Sequence, residues 1–557
     1  MNGPTTQEAE ELLRTAASVY ADDPAAMAVI GKLEQRLSEP LRLAIAGMVK
    51  AGKSTLLNAM LGEQIAPTDA GECTRVVTWY RYSPTPSITM HLNNGETRRM
   101  PVHRERGRLA LGLGGLPAED VQWLEVGWPL DALRSVILID TPGMASMSKE
   151  ISLRATRFLT GEEEPSSADA VIYLMRHLHA SDVAFLEAFR DTAPGGGQTV
   201  CAVGVLSRSD EIGSGRIDSL LSAAKVARRY EHEADLASLV LGVIPVAGLV
   251  AEGARTLRES EYIAFRQLAA LDRVEREKLF VSADRFVADT ATTTLSATVR
   301  SDLVSRFGIF GVRLATALIR GGTASSSELA EAMVQQSGLV QLQQFVRTQF
   351  RTRATTLKIR GVLLALDRLI RDNPRDGVDV IHAASERISA SAHGLRELTL
   401  IASARSEGLP LTDQDSAEAL RIVGGAGALP YLRLGAAEDA DVTVLRELSG
   451  AALAHWRTLA ESPLTSSAAI GVCRVVIRSL EALAADLGPD PAATAVAASE
   501  VAAADDPLGF ADVVATGGPG DGRGQDAAEQ SEKHKPRLGW KKKQKGLSAV
   551  TDRHPLG

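Results

Sequence analysis

Cysteine and aromatic residues are scarce in this sequence. Its 557 residues include three cysteines, at positions 73, 201 and 473, and they form no C-x-x-C pair. This spacing argues against a disulfide framework and a cysteine-rich zinc site, and it favours a reducing compartment. Aromatic residues make up 4% of the chain. Alanine, leucine and arginine fill many segments, which favours helix.

The chain also lacks an excess of positive charge and any long apolar run. A net charge of −8 argues against a general nucleic-acid binder. The first residues, MNGPTTQEAEELL, show no basic segment followed by an apolar one and predict no secretory signal. The longest apolar run, residues 239–251, is interrupted by Gly242, Pro245 and Gly248 and is too short to cross a bilayer. We therefore expect a cytoplasmic protein, and the length predicts two or three domains.

Hydrophobic periodicity divides the chain into segments. Residues 1–38 carry apolar residues at three- and four-residue spacing, which predicts one or two N-terminal helices. In residues 39–257, short runs rich in valine and isoleucine alternate with helical stretches, the pattern of a mostly parallel sheet covered by helices. The predicted strands are Leu41–Ala46, Val76–Tyr82, Ile88–Leu92, Val136–Ile139, Ala170–Met175, Val200–Leu206 and Leu239–Val246.

Helical patterns dominate residues 258–487, which we predict to be all-α. Ser325 and Glu328 fit a capping box, and one long helical pattern runs from Gly338 to Asn373. Residues 488–557 are rich in alanine, glycine, proline and aspartate and bury too little apolar surface to order, so we predict a mostly disordered tail. Further predicted helices cover residues 377–405, 412–424, 441–460 and 465–486.

The stretch G-M-V-K-A-G-K-S-T, residues 47–55, follows a predicted buried strand and precedes a helix. It matches the G-x-x-x-x-G-K-[ST] pattern of a phosphate-binding P-loop. Gly47 and Gly52 permit backbone conformations that direct N–H groups at phosphate oxygens. Lys53 is expected to reach the β- and γ-phosphates, and the Ser54 hydroxyl to bind Mg²⁺. The predicted nucleotide-binding loop is completed by Lys50, Ala51 and Thr55.

A second motif, V-I-L-I-D-T-P-G at residues 136–143, is an apolar strand ending in D-T-P-G. At such a strand end, Asp140 can hold the Mg²⁺ shell and the Gly143 N–H can sense the γ-phosphate. Between the two motifs, residues 66–75 have the character of a first switch, in which one threonine hydroxyl completes the Mg²⁺ shell. We assign that role to Thr74, with Thr68 as the second choice.

A third strand runs into Ser207-Arg208-Ser209-Asp210, at the place where GTPases carry [NT]-K-x-D. There the aspartate accepts hydrogen bonds from the guanine N1–H and 2-amino group, a donor pair that adenine lacks. Ser207 and Arg208 depart from the pattern but keep its chemistry, a small hydroxyl and a long cation whose stem can lie over the base. Ala247, in P-V-A-G after the last predicted strand, is the candidate whose backbone N–H meets the guanine oxygen.

Taken together, these motifs resemble those of the dynamin-like GTPases. GKSTLLNAMLG, APTDAGECTRVVTWYRY, LIDTPG, SADAVIYLMRHLHASDVAFLEAF and VLSRSD follow the order of the bacterial members, and the actinobacterial isoniazid-inducible branch is the most similar. The resemblance covers residues 10–485. It implies that residues 39–257 are a GTPase head and that residues 1–38 and 258–487 form a neck and stalk. It also implies GTP-dependent pairing of heads, as a homodimer or with a paired dynamin-like protein, coupled to membrane binding or remodelling and to envelope stress and drug tolerance.

Two departures from related GTPases bear on catalysis. Val49 and Lys50 replace the Gln and Ser of eukaryotic dynamins, and Met144 stands where small signalling GTPases carry a water-orienting Gln. The predicted catalytic residues are thus Lys53, Thr74 and Lys50, where Lys50 either supplies charge to the phosphates or faces solvent. Without an orienting amide we expect slow turnover, on the order of 10⁻⁴ to 10⁻³ per second, raised by a partner head.

The sequence offers few candidate membrane contacts. Residues 423–432 could form an insertion loop or, more commonly for such a stretch, a buried turn, whereas for residues 307–311 core packing is the better interpretation. Six of the thirteen lysines fall in residues 533–545, and a basic cluster around one Trp suits an anionic lipid surface. Nucleic acid or an acidic protein would suit it equally, and a solubilising disordered end is the alternative. We expect the protein at the inner face of the plasma membrane. The alternatives are a GTPase switch in ribosome or complex assembly, and a low-turnover scaffold for a dynamin-like partner.

Overall fold

The computed structural model describes residues 4–67, 75–105, 107–143, 168–191, 201–213, 215–288 and 292–488. These residues lie in one compact unit, Met1–Pro491. The tail that we predict to be disordered, apart from Gly488, and its basic cluster fall outside the described residues, as do Thr68, Thr74 and Met144.

Nine of the described strands form one mixed sheet in the order β11-β10-β9-β1-β8-β2-β7-β3-β4. The five strands from β11 to β8 are all parallel. Beyond them, β2 pairs antiparallel with β8 and parallel with β7, and β3 and β4 extend the sheet through antiparallel pairings. A separate hairpin is formed by β5 and β6. The strands are β1 Leu41–Gly47, β2 Val77–Tyr82, β3 Ser87–Leu92, β4 Thr97–Met100, β5 His103–Glu105, β6 Arg108–Ala110, β7 Val121–Trp128, β8 Val136–Asp140, β9 Ala170–Met175, β10 Ala202–Ser207 and β11 Val243–Val246.

The parallel half of the sheet is covered on both faces. Every residue of β9 and of β10 is buried, as expected for parallel strands between helices. Helices α1 and α2 precede the sheet, and α3 to α7 alternate with its strands. Their bounds are α1 Pro4–Val19, α2 Pro24–Ser38, α3 Lys53–Leu61, α4 Ala180–Asp191, α5 Ser219–Glu231, α6 Ala234–Ala237 and α7 Gly248–Arg255.

After α7 the described chain contains helices and no strand, as the sequence predicts. The next group packs against α7 around a core that includes Phe265, Phe286, Phe307 and Phe310. Its helices are α8 Glu259–Ala270, α9 Arg273–Leu279, α10 Ala283–Val287, α11 Ala297–Arg320, α12 Ser326–Gln336 and α13 Leu339–Phe345. Ser325 caps α12 by accepting the Glu328 N–H at 3.2 Å, but the Glu328 carboxylate returns to the Ala324 N–H instead of the cap residue.

The last group of helices is α14 Ala354–Asp372, α15 Val378–Ser391, α16 His393–Ser406, α17 Asp413–Ile422, α18 Pro430–Leu434, α19 Val442–Glu461 and α20 Ser467–Asp486. The long helix expected from Gly338 to Asn373 is interrupted by a π-helical turn, Val346–Arg351. Arg353, directly after this turn, is buried and donates to the carbonyls of Val423 and Gly424 at 3.0 and 2.7 Å. The predicted helix 377–405 is likewise divided at Ala392.

Residues 423–432 are held against the π-helical turn. The Gln349 amide donates to the Gly425 carbonyl at 3.0 Å, and the Ala428 N–H donates to the Thr348 carbonyl at 3.0 Å. Val423, Gly424 and Gly427 are buried. This stretch is therefore a packed turn between helices, and its contacts argue against an insertion loop. Over the described residues, no helix is long and apolar enough to cross a membrane.

The two N-terminal helices and a helix pair from the later all-α part form a second core. Helices α1 and α2 pack with α14 and α15 around Leu12, Ile30, Val362 and Ile381. At the amino-terminal ends of β1 and β9, buried Arg36 of α2 forms an ion pair with Asp169 at 2.7 Å. Lys358 of α14 donates to the Leu37 carbonyl at 2.7 Å. The N-terminal helices are thereby joined both to the sheet and to α14.

The sequence failed to predict four strands and misplaced a fifth. Strands β4, β5, β6 and β7 were not expected, and β4 to β6 are short and largely exposed, so they carry little periodic signal. The strand expected at Leu239–Val246 begins only at Val243. Leu239 and Leu241 are buried in a turn, where the Leu241 N–H donates to the Ala202 carbonyl at 2.8 Å.

Candidate nucleotide-binding site

The carboxyl ends of β1, β8, β9 and β10 meet at one edge of the sheet. Register pairs Ile45 with Asp140, Gly47 with Leu174, and Leu206 with Met175. Since ligands of open α/β sheets bind outside the carboxyl ends of the strands, this edge is the natural place for the predicted site. The structure brings the P-loop, D-T-P-G and S-R-S-D motifs together there.

The P-loop joins β1 to α3 in a turn that needs both glycines. Gly47 has φ 145° and a side chain on it would overlap the Leu174 carbonyl oxygen. Gly52 has φ 98° and directly precedes α3. Lys50, between them, has φ 63°, an uncommon conformation for a residue with a side chain, and it is exposed. The backbone of this loop is thus shaped at three positions by left-handed conformations, as a phosphate cradle requires.

Lys53 lies inside the P-loop. It is buried, and its Nζ donates to the carbonyls of Gly47 and Met48 at 3.1 and 3.3 Å. Burial lowers the pKa of this ammonium group, and the nearby Asp140 opposes that shift. A buried cation satisfied by two neutral carbonyls is poised to exchange them for a phosphate oxygen.

Ser54 and Asp140 form the arrangement expected of a Mg²⁺ site. The Ser54 hydroxyl donates to Asp140 Oδ2 at 3.0 Å. The other oxygen, Oδ1, is buried and has no hydrogen-bond partner among the described residues. Burial raises the pKa of Asp140 to about 6, with Lys53 and Ser54 acting in the opposite direction. An enclosed carboxylate with one oxygen unsatisfied beside a hydroxyl fits a hard divalent cation.

Gly143 lies directly beneath the P-loop. A Cβ atom on Gly143 would lie 2.7 Å from Cγ2 of Val49 and 2.9 Å from its Cα, so no other residue fits there without a shift. Thr141, two residues earlier, fixes the turn by donating its hydroxyl to the Ile45 carbonyl at 2.9 Å. The P-loop and the D-T-P-G motif are therefore packed backbone against backbone.

A cleft next to the P-loop has Asp210, the predicted guanine-binding carboxylate, in its wall. Asp210 is 8% exposed, and burial raises its pKa to about 6. The neighbouring Glu211 also raises this pKa, and Arg208 lowers it. The Ser207 hydroxyl donates to the Met175 carbonyl at 3.2 Å, which holds the end of β10 to β9. The cleft is lined by residues that include Ala51, Thr55, Leu174, Ser207, Asp210 and Leu249.

Ala247 follows β11 as predicted, but its backbone N–H is already engaged. Its N–H donates to the Ser337 carbonyl at 2.9 Å, and the residue is fully buried. Gly338, next to Ser337, approaches β11 so closely that a Cβ on it would overlap the Pro245 carbonyl oxygen. The helical segment α12–α13 therefore takes the amide that we expected to face the guanine oxygen. Val246 and Gly248, on either side of Ala247, line the cleft instead.

Sequence reasoning missed a buried network behind the P-loop. Asn58 of α3 accepts the N–H groups of Ile65 and Ala66 at 3.0 and 2.7 Å and donates to Glu252 at 3.2 Å. Gln64 donates to the same Glu252 oxygen at 3.1 Å. These bonds fix the chain where it enters the segment containing Thr68 and Thr74. The sequence signal that could have indicated this network is the single Asn in the otherwise apolar stretch LLNAML.

The P-loop, the carboxylate at the end of the adjacent strand and the mostly parallel sheet define a P-loop GTPase fold. Consistent with this, a model of the dynamin family matches residues 43–113. The isoniazid-induced protein IniC of Mycobacterium tuberculosis is 37% identical over 491 residues, or 86% of this chain and 99% of that protein. The chain therefore belongs to the dynamin family and is of the IniC type. Family membership implies GTPase activity with GTP as substrate.

Two other matches are more limited. A bacterial dynamin-like protein of Nostoc punctiforme is 33% identical over 118 residues, 18% of this chain and 16% of that protein. A solved structure of an oligomerised bacterial dynamin pair aligns with 90% of this chain and 78% of that chain at 12% identity. Its TM-score of 0.32 is too low to support a structural argument.

Proposed function

We propose that this protein hydrolyses GTP in a Mg²⁺-dependent reaction and couples pairing of its heads to membrane binding or remodelling. The observation that carries the proposal is the Ser54–Asp140 hydrogen bond together with a neighbouring cleft, which the P-loop residues Gly52 and Thr55 line with Asp210. In this proposal residues 39–257 are the head, and residues 1–38 and 258–487 form the neck and stalk.

In this proposal the Ser54–Asp140 pair, Lys53 and Asp210 have distinct roles. Ser54 and Asp140, with Thr74 from the first switch, would hold Mg²⁺, which neutralises charge developing on the β- and γ-phosphates. Lys53 transfers its hydrogen bonds from the Gly47 and Met48 carbonyls to the phosphates. Asp210 accepts two hydrogen bonds from the guanine edge. The remaining nucleotide contacts are proposed for Gly47, Lys50, Ala51, Gly52, Thr55, Gly143, Ser207 and Arg208.

Slow GTP turnover by a single chain follows from the lack of a water-orienting amide side chain in the P-loop. Val49 packs on Gly143 and offers no amide to orient water. Lys50 is exposed at the rim, where its ammonium group can approach phosphate or a second head. We therefore propose that a second head, from another copy or from a paired dynamin-like protein, accelerates hydrolysis by roughly 10³ to 10⁵.

Membrane contact is proposed for the basic cluster at residues 533–545, since the turn at residues 423–432 is packed. Clustered cations contribute about 1 kcal/mol each at an anionic lipid surface. The name of the M. tuberculosis relative records induction by isoniazid. By that relationship we propose a role in envelope stress or drug tolerance, at the inner face of the plasma membrane.

Liposome co-sedimentation tests the membrane part of the proposal. Vesicles that contain anionic lipid are incubated with the full chain and GTP, GDP or no nucleotide. Nucleotide-dependent pelleting is expected, and replacing Lys541, Lys542 and Lys543 by serine should reduce it. Absence of lipid binding in every state, together with fast GTP turnover, favours an assembly switch. Tight GTP binding without turnover favours a scaffold.

A further inference from the structure

Helix α11 is bent sharply at Gly308. This residue has φ 66° and ψ 167° in the middle of Ala297–Arg320, whereas the residues around it continue as helix. That region of backbone space is essentially restricted to glycine. The sequence predicted core packing here but no break. The chain therefore uses a glycine to hold a bend that an ordinary helix would not adopt.

The bend brings α11 against the carboxylate of Asp210. A Cβ on Gly308 would lie 3.6 Å from Asp210 Oδ2 and 3.7 Å from Leu249 Cδ2, and both of these residues line the base cleft. Phe307, the preceding residue, is fully buried and packs edge-to-face on Phe265 at 5.1 Å. The bend is therefore anchored by the core on one side and abuts the base cleft on the other.

Arg313 ties the same helix to the loop that follows Asp210. Its guanidinium donates to the Gly215 carbonyl and also to the carbonyls of Phe280 and Val281. A Cβ on Gly215 would lie 3.3 Å from Ile309 Cγ2, so Gly215 rests directly on the helix. Helix α11 thus contacts Asp210 through Gly308 and holds Gly215 through Arg313.

We propose that Gly308 and Arg313 are positioning residues for guanine recognition, which makes α11 part of the base site. The inference rests on the proposed GTP function and adds to it an element outside residues 39–257. An aspartate must present both oxygens in one plane to accept from the N1–H and the 2-amino group together, and α11 backs the oxygen nearest Gly308. Because coupling between two sites is reciprocal, a base that orders Asp210 also orders the bend in α11.

The ratio of GTP to ITP affinity tests this role. ITP lacks the 2-amino group but keeps the N1–H and the triphosphate, so the ratio reports on how Asp210 is presented. It is measured by calorimetry on the full chain and on Gly308→Ala, Arg313→Ala and Gly322→Ala. Gly322 is the matched control, because it has φ 113° just beyond the same helix and a Cβ on it would meet nothing within 4 Å.

We expect Gly308→Ala and Arg313→Ala each to lower the GTP-to-ITP ratio by roughly tenfold, the size of a lost hydrogen bond to a charged group. ITP keeps only the N1–H contact with Asp210, so its affinity should fall by less than that of GTP, and Gly322→Ala should match the unsubstituted protein. If Gly308→Ala does not fold, Arg313→Ala decides by the same ratio. Unchanged ratios in the folded variants overturn the inference. A ratio near one in the unsubstituted protein instead refutes the guanine assignment of Asp210.

Discussion

The Arg208 guanidinium donates to the backbone carbonyl of Lys50 at 3.1 Å and so crosses from the base loop to the P-loop. In the described part of the chain, these two are the only residues other than glycine with positive φ. Arg208 is further held by Glu211 at 2.8 Å, and Glu211 also pairs with Arg176. Because strained backbone is often retained for function, the strain at both ends of this contact leads us to expect a role in nucleotide binding.

Removing the hydrogen bond between Arg208 and the Lys50 carbonyl should speed the release of nucleotide. Arg208→Ala leaves the P-loop carbonyl without its donor, and we expect GDP to dissociate about threefold to tenfold faster, given that the contact is partly exposed. Stopped-flow release of a fluorescent GDP analogue measures this rate. Arg216→Ala is the control, since Arg216 makes an exposed ion pair with Asp218 away from the cleft. Equal release rates in both variants would show that the contact does not retain nucleotide.

Two substitutions at Lys50 separate its conformation from its charge. Lys50→Gly relieves the positive φ and should raise the free energy of unfolding by about 1 kcal/mol relative to Lys50→Ala, which keeps the strain. Urea denaturation measures the difference. Both variants lose the ammonium group, so a fall in GTP turnover shared by both assigns a catalytic role to the charge. Turnover unchanged in both would leave Lys50 as a solvent-facing residue.

GTP affinity should depend on pH through Asp210. Its pKa in the nucleotide-free protein is raised to about 6, with Glu211 and Arg208 as the charged groups that face it. Guanine needs the ionised carboxylate, so affinity should be full above pH 7 and fall by up to about tenfold per pH unit below 6. The free energy of unfolding should change with pH in the opposite direction. Because the pKa of Asp210 is raised in the folded state, its contribution to stability is full below about pH 4 and is lost as the pH rises through about 6.

Asp210→Asn provides the control for this titration. An asparagine amide matches the N1–H and the 2-oxo group of xanthine, so the variant should bind XTP in place of GTP. XTP binding should then lose the part of the pH dependence that Asp210 causes. GTP affinity that survives this substitution would contradict the assignment of the guanine site.

The Arg36–Asp169 ion pair should contribute strongly to stability. Both side chains are almost completely buried, and Asp169 Oδ2 also accepts the Arg42 N–H at 2.8 Å. Arg36→Ala leaves this carboxylate buried without its cation, and we expect a loss of about 3 to 5 kcal/mol in the free energy of unfolding. Arg273→Ala, which breaks an exposed pair with Glu277, should cost less than about 1 kcal/mol. Similar urea midpoints for the two variants would contradict this account.

The parallel half of the sheet could be predicted because its strands are short, continuous apolar runs. The strand at Ala170–Met175 is found with the predicted bounds, and the P-loop, Asp140 and Asp210 follow strands that the sequence marks clearly. The edge strand Thr97–Met100 could not be predicted, since its T-R-R-M sequence carries no apolar alternation. It is paired to the sheet only through β3.

What the sequence could not predict depends on contacts between distant segments. The Ala247 amide is taken by Ser337, ninety positions along the chain, and no local pattern indicates that bond. The bend at Gly308 lies within a helical sequence pattern. Its packing against Asp210 depends on the fold and could not be predicted from that pattern. The π-helical turn at Val346–Arg351 likewise follows from packing against residues 423–428.

GTP turnover per chain, measured over a range of protein concentrations with and without anionic liposomes, tests the central claim most directly. Asp140→Asn serves as the control without the Mg²⁺ ligand. The account predicts a turnover per chain that is slow at low concentration, rises as heads pair, rises further on liposomes, and is lost in Asp140→Asn. A turnover per chain that stays flat and near zero at every concentration, despite tight GTP binding, would contradict it.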